Sequence, residues 1–331
     1  MEIENDDVHD DHKYDGPGYV KLSPTRIVTA LSCPRKYKLR YIDGLEPAKM
    51  PSMLAFGRAI HAAIAAAYAR QNAPLDTTEV SERFAAHFKF LDEQGISYKE
   101  KESYEDLEAK GRALAALWWE TYRDDVLSAK VLSLESAIGH DVEVGLAIHG
   151  YPDVIEERDG LVYIGDHKTV AGWGESDEIL MAKSVQLTMY AYLCRQVHGR
   201  LPDKLYITVL KKTKEPQVFR YFTERTAAEV DALEDYVRGI ADLIRFHEEN
   251  DKYPKNYSRE CSWCGFNALC WELEGAREMF VSREERKERE KKREAAIGDA
   301  IIAGVDPKYD GDERARKLAV AGHVIDALDD E

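Results

Sequence analysis

The chain has 331 residues, 44% of them hydrophobic and 33% charged, enough for one large domain with appendages. Its formal net charge of −16 argues against a surface that is basic throughout. No run of about 18 apolar residues is visible and the acidic start is no secretory leader, so no membrane association and a cytoplasmic location are expected.

Residues 1–18 read as a disordered acidic tail. Residues 1–15 hold seven Asp or Glu against one lysine, and Gly16-Pro17-Gly18 follows. Ser23-Pro24 is an N-cap followed by a proline at the first helical position, so a helix opens there. Ile27, Leu31 and Leu39 give it an apolar stripe, and Cys33-Pro34 interrupts it. An Ala-rich helix is expected over 53–70, with Gly57 and His61 at i and i+4 on one face. Two more helices, 78–94 and 103–126, form a helical insertion at about 70–127; the second carries Trp118-Trp119.

From about residue 130 the period changes to two. Strands are expected at 131–134 and 142–144, then one ending at Asp153 and one leading into Asp166, together an antiparallel meander. A helix over 177–198 places Gln186 and Tyr190 on one face. Strands at 205–210 and 218–222 and a helix over 225–248 complete a single α/β domain, a mixed central sheet flanked by helices. Residues 274–331 read as a charged helical appendage. Acids and bases alternate over 283–294, the pattern of a solvated helix.

The chemistry concentrates in Gly150-Tyr151-Pro152-Asp153 and Gly165-Asp166-His167-Lys168-Thr169. Asp159-Gly160 is a hairpin turn signal between them. Residues two apart on a strand share a face, so Asp166 and Lys168 point the same way, and the hairpin brings Asp153 alongside. Two carboxylates hold hard divalent cations, and such ions polarise a phosphodiester and acidify a bound water. On its own, an Asp-x-Lys beside a hairpin is more often a solvated strand edge. Basic residues cluster at Arg26, Arg35, Lys36, Lys38, Arg40, Lys49 and Arg58, and again at Lys211, Lys212 and Lys214. A basic groove on an acidic body is compatible with that distribution.

Of the five cysteines, Cys261, Cys264 and Cys270 lie within ten residues. Cys33 is the better fourth ligand, because Cys194 sits in an apolar helical run and reads as a core residue. Four thiolates fit zinc or an iron–sulfur cluster, and spacing does not choose between them.

These segments together resemble the PD-(D/E)XK nucleases, in particular the RecB-like exonuclease branch with a four-cysteine iron–sulfur cluster. The nuclease domain of AddB and the CRISPR-associated adaptation nucleases belong to that branch. The resemblance spans about residues 20–273, which sets the nuclease domain at 19–273, and rests on six elements in order: Ser23 to Tyr37, Gly57 to His61, Gly150 to Asp153, Gly165 to Thr169, Gln186 to Tyr190, and the cysteine triplet. One departure is small: Gly-Tyr-Pro-Asp stands where Gly-x-(Ile/Val)-Asp is usual.

The resemblance implies a restriction-endonuclease-like core. His61, Asp153, Asp166 and the His167 carbonyl would bind Mg²⁺ or Mn²⁺, with Lys168 as the catalytic lysine and Gln186 and Tyr190 as a Q-x-x-x-Y element. Cys33, Cys261, Cys264 and Cys270 would bind a [4Fe–4S] cluster that clasps the two ends of the domain. The activity implied is exonucleolytic cleavage of single-stranded or frayed DNA in phage or bacterial replication, recombination or repair, inside a bacterial or phage-infected cell. A helicase or recombination protein is the partner such nucleases often have. The alternatives are an endonuclease, a CRISPR spacer-trimming nuclease, or a non-catalytic DNA-binding scaffold.

Overall fold

The computed structural model describes residues 18–282 together with 284, 285 and 288. The expected acidic tail, but for Gly18, and most of the expected C-terminal appendage lie outside the described residues. Strand β1 (Val20–Leu22) leads into helix α1 (Pro24–Ser32), where Ser23 Oγ accepts the Arg26 N–H at 3.2 Å as the cap signal predicts. Cys33, extended at φ −161° as a residue before proline must be, ends α1. Pro34 restarts the chain as α2 (Pro34–Tyr37), which continues as a π-helical turn over Lys38–Ile42.

After β2 (Leu45–Pro47) and β3 (Met50–Pro51) come α3 (Ser52–Ala69), α4 (Thr77–Gly95), β4 (Ile96–Ser97) and α5 (Tyr104–Ser128). Gly111 lets α4 and α5 touch: a Cβ there would lie 1.8 Å from the Phe84 ring. Trp118 and Trp119 are both fully buried between these helices, so they pack and do not face solvent. By length and composition alone α3 is apolar enough to cross a membrane, although Arg58 and His61 interrupt its apolar run. Its Phe56, Ile60 and Ile64 are instead buried in a core shared with α4 and α5.

Strands β5 (Lys130–Leu134), β6 (Ile138–Glu143), β7 (Leu146–Gly150), β8 (Val154–Arg158) and β9 (Leu161–Val170) follow. They do not form the simple meander expected. The β6–β7 hairpin leaves the main sheet, and β7 pairs in parallel with β1, while β8 returns to pair with β5 and β9. Asp153 accordingly precedes β8 and does not end a strand. The β8–β9 turn is the one predicted, with Asp159 at φ 51° and Gly160 at φ 77°, as a type I′ turn requires.

The helix expected over 177–198 is two helices, α6 (Glu175–Ala182) and α7 (Val185–His198), because Ser184 starts a new cap, accepting from the Leu187 N–H at 3.4 Å. Strand β10 (Lys204–Lys211) then lies parallel to β9, and β11 (Gln217–Thr223) antiparallel to β10. Helix α8 (Ala227–Glu249), the short α9 (Asn267–Cys270) and β12 (Phe280–Ser282) finish the described chain. Strand β12 pairs with β2, so the packed fold runs on past residue 273.

The main sheet, in the order β11-β10-β9-β8-β5, is a mixed sheet with helices on both faces. Alternation along each strand assigns the two faces. Ile155, Ile164, Ile207 and Val209 join a core with α7 and α8, whereas Val154, Tyr206 and Leu210 join the core with α3, α4 and α5. On β9 the same alternation sends Asp166 and Lys168 toward α7 and His167 toward α3 and α5.

Candidate active site

Asp153 lies in the connection between β7 and β8. Gly150, at the end of β7, makes room for the Tyr190 ring: a Cβ there would sit 2.6 Å from Tyr190 Cε1. Tyr190 OH donates to the Tyr151 carbonyl at 3.1 Å, which fixes the backbone two residues ahead of Asp153. The Asp153 carboxylate is split between two partners. Its Oδ2 accepts the His167 N–H at 2.5 Å, and its Oδ1 lies 3.2 Å from His61 Nδ1. His61 reaches across from α3, and its Nε2 contacts the His167 carbonyl at 2.9 Å. Gly57, one turn earlier, lets α3 approach β9, since a Cβ there would meet Thr169 Oγ1 at 3.4 Å.

Asp166, 2% exposed, faces α7. Gln186 Nε2 donates to its Oδ1 at 3.1 Å and to Tyr190 OH at 2.9 Å. Lys168 Nζ lies 3.1 Å from Asp166 Oδ2 and 3.3 Å from Oδ1. Lys168 bridges both oxygens of the buried Asp166 carboxylate. The expected His61, Asp153, Asp166, Lys168, Gln186 and Tyr190 are thus all brought together. The His167 carbonyl is there too, with one of its lone pairs engaged by the His61 ring.

Glu135 is the residue that the sequence reading missed. Its Oε1 is 3.8 Å from His61 Nδ1, and the ligand atoms of His61, Glu135 and Asp153 all lie within 4.8 Å of one another. Glu135 follows β5 at φ 45°, with its N–H donating to the Asp153 carbonyl at 3.0 Å. A non-glycine residue held in the left-handed region is uncommon and marks a position over-determined by its surroundings. In sequence it is one acid among 62 Asp and Glu. Only the β5–β8 pairing, Leu134 opposite Val154, puts it beside Asp153.

The charges respond to this crowding. Burial opposes a charged His61, but the carboxylates of Asp153 and Glu135 outweigh it and hold its pKa well above 6.5. Burial, then repulsion from Asp153, pushes Glu135 up to about 7. For Asp153, burial is overcome by His61, which draws its carboxyl down to about 2. Burial raises Asp166 and holds the His167 ring neutral, at about 3. A protonated His61 therefore sits between two carboxylates, where one positive charge is wanted and a cation can displace the proton. The donor set of one imidazole and two carboxylates, with ligand atoms within 4.8 Å of one another and Asp166 nearby, fits a divalent cation.

A family model for the PD-(D/E)XK nuclease superfamily matches residues 21–271. The chain belongs to this superfamily. No curated protein matches it. Among solved structures, a protein from Eubacterium rectale provisionally named an exonuclease is similar over 81% of this chain and 93% of its own, at 13% identity and a TM-score of 0.48. A second, SSO0001, is similar over 76% and 85%, at 14% identity and a TM-score of 0.35. Membership in the PD-(D/E)XK superfamily makes the chain a nuclease, a phosphodiester hydrolase that uses divalent metal. Its mixed sheet flanked by helices is the restriction-endonuclease-like arrangement of that family.

The four cysteines are also brought together. Cys33, Cys261, Cys264 and Cys270 line one cavity, closed on one side by Phe266 and Trp271. Lys255 Nζ donates to the Cys270 carbonyl at 2.7 Å, and Asn256 Nδ2 to the Ser32 carbonyl at 2.6 Å, so the C-terminal segment is pinned to the end of α1. Burial, followed by the neighbouring Cys33 and Cys264, raises the Cys270 thiol, with Lys255 and Arg35 opposing. Cys194 is fully buried in α7, with burial pushing its thiol up to about 11, as a core residue should be.

Several of the early cations serve packing. Arg26 lies over the Tyr41 ring at 4.9 Å, Lys38 pairs with Asp43 at 2.6 Å, and Arg58 is buried against Met50. Tyr37 is buried as well and does not offer its face to a ligand.

Proposed function

We propose that the chain is a metal-dependent deoxyribonuclease that degrades single-stranded or frayed DNA from its ends, in phage or bacterial replication, recombination or repair. The observation that carries this reading is the convergence of His61, Glu135 and Asp153, whose ligand atoms lie within 4.8 Å of one another, beside Asp166 with Lys168 Nζ 3.1 Å from it. His61, Glu135, Asp153 and Asp166 would hold Mg²⁺ or Mn²⁺, and the His167 carbonyl, with a second lone pair beyond the one facing His61, completes the set. A divalent cation bound there supplies Lewis-acid polarisation of the phosphate and a water acidified toward neutral pH.

The chain's own groups do the rest. Asp166, anchored through Oδ1 by Gln186, pairs through Oδ2 with Lys168. Lys168, steadied by Asp166 and 39% exposed, orients the attacking water and offsets charge as it builds on the phosphate. Tyr190 ties Gln186 to the Tyr151 backbone, so the two acids are held as one unit.

The exonucleolytic preference and a helicase or recombination partner rest on the RecB-like order of motifs. The intact Asp153, Asp166 and Lys168 speak against a decayed scaffold. Incubating end-labelled linear single strands and a closed single-stranded circle with Mn²⁺ tests the reading. Linear strands should be degraded and circles left intact. Cutting of the circle removes the end requirement and favours an endonuclease or spacer-trimming enzyme. An Asp166→Asn protein as active as wild type removes the site.

The same reading gives Cys33, Cys261, Cys264 and Cys270 a [4Fe–4S] cluster. Tetrahedral zinc with Zn–S bonds of 2.3 Å needs sulfurs about 3.8 Å apart. Four thiolates around one cavity suit that geometry as well as a cluster, so the choice of iron–sulfur rests on the resemblance to the RecB-like branch. Protein purified under nitrogen should carry iron and sulfide and show thiolate-to-iron absorption; stoichiometric zinc without iron would reverse the choice.

A further inference from the structure

Gln186 reaches Asp166 from the first turn of α7, and that turn is held from outside its own helix by one buried side chain. Arg225, 7% exposed, stands between the end of β11 and Thr226, the N-cap of α8. A guanidinium carries five N–H donors in a rigid plane, and the fold supplies five acceptors. Nε donates to Thr188 Oγ1 at 2.8 Å. Nη1 donates to Thr223 Oγ1 at 2.9 Å and to the Glu224 carbonyl at 2.8 Å. Nη2 donates to the Met181 carbonyl at 3.3 Å and the Ser184 carbonyl at 3.4 Å. Two acceptors belong to the end of β11 and three to the α6–α7 break.

Helix α6 has no buried residue and meets the core only through half-buried Met181, so packing of α6 holds the start of α7 weakly. The apolar face of α7 is seated through Leu187, Met189 and the residues that follow. Arg225 adds the polar ties at the break, binding the carbonyl of Ser184 and the hydroxyl of Thr188 on either side of Gln186.

We propose that Arg225 is a positioning residue for phosphodiester cleavage: by tying the α6–α7 break to the end of β11, it sets where Gln186 meets Asp166. The inference rests on the nuclease reading above. Lysine keeps the charge but has only three donors and no planar fork, so Arg225→Lys is the decisive variant, with Arg225→Met as the second.

The test measures single-turnover cleavage of a linear strand with saturating Mn²⁺, for Arg225→Lys alone and combined with Gln186→Ala. Melting temperature and amide exchange are followed in parallel. Arg225→Lys should slow cleavage roughly 10- to 100-fold, the scale of a small misplacement of a reacting group, with KM unchanged. In the Gln186→Ala background it should slow cleavage no further, and the Leu187 and Thr188 amides should exchange faster in both. A wild-type rate in Arg225→Lys, or an equal loss in both backgrounds, overturns the proposal. A wild-type protein that cleaves nothing removes the nuclease reading instead, and the exchange comparison then decides by itself whether Arg225 holds the α7 entry.

Discussion

Replacing Glu135 with glutamine should move two properties in opposite directions. Burial and the Asp153 carboxylate raise Glu135 to about 7, whereas an unfolded glutamate titrates at about 4.3. A raised carboxyl contributes stability that is complete below about pH 4.3 and is lost as pH rises through about 7. Ionised Glu135 therefore costs the metal-free fold up to about 4 kcal/mol near pH 8. Glutamine never ionises, so metal-free Glu135→Gln should melt above wild type near pH 8 and match it near pH 4. Its affinity for Mn²⁺ should fall by at least the roughly 10- to 100-fold that loss of even an outer-shell partner costs. Wild-type affinity should rise with pH through about 7, since Glu135 and His61 must shed protons to admit the ion, and the variant's rise should be shallower. Thermal melts after chelation and Mn²⁺ titration calorimetry at two pH values read all of this. A variant that melts below wild type near pH 8 and binds Mn²⁺ equally well would refute the assignment of Glu135 to the metal pocket.

Other substitutions probe the neighbouring parts. Lys168→Met should keep Mn²⁺ binding while slowing cleavage by about 10²- to 10⁴-fold; calorimetry alongside single-turnover rates checks it, and a variant that loses metal instead would mean that the amine is structural. Gly150→Ala forces a Cβ to within 2.6 Å of Tyr190 Cε1, which should cost about 1–3 kcal/mol in a denaturant melt and lower the rate by loosening the Gln186–Tyr190 pair. On the proposed cluster reading, Cys33→Ser should open a clasp that closes on Cys261, 228 positions away. Treated as a cross-link, that clasp bounds the stability loss at about 5 kcal/mol, and iron content should fall with the melting temperature.

The cap at Ser23, the break at Cys33-Pro34 and the Asp159-Gly160 turn were readable in the sequence because each is decided by steric and hydrogen-bond preferences acting over three or four residues. The shared face of Asp166 and Lys168, and that of Gln186 and Tyr190, followed from the fixed periods of strand and helix. Tertiary structure alone decided which strands became neighbours. Pairing of β5 with β8 and departure of the β6–β7 hairpin to β1 satisfy backbone groups that other pairings would satisfy as well, so no local pattern encodes them. Glu135 became a site residue only through that pairing, and Trp118 a core residue only through the packing of α3, α4 and α5. The identities of the candidate site residues other than Glu135 are thus written along the chain. Their convergence exists only once long-range contacts have brought α3, β5 and the β7–β8 connection together, because those segments are far apart in sequence.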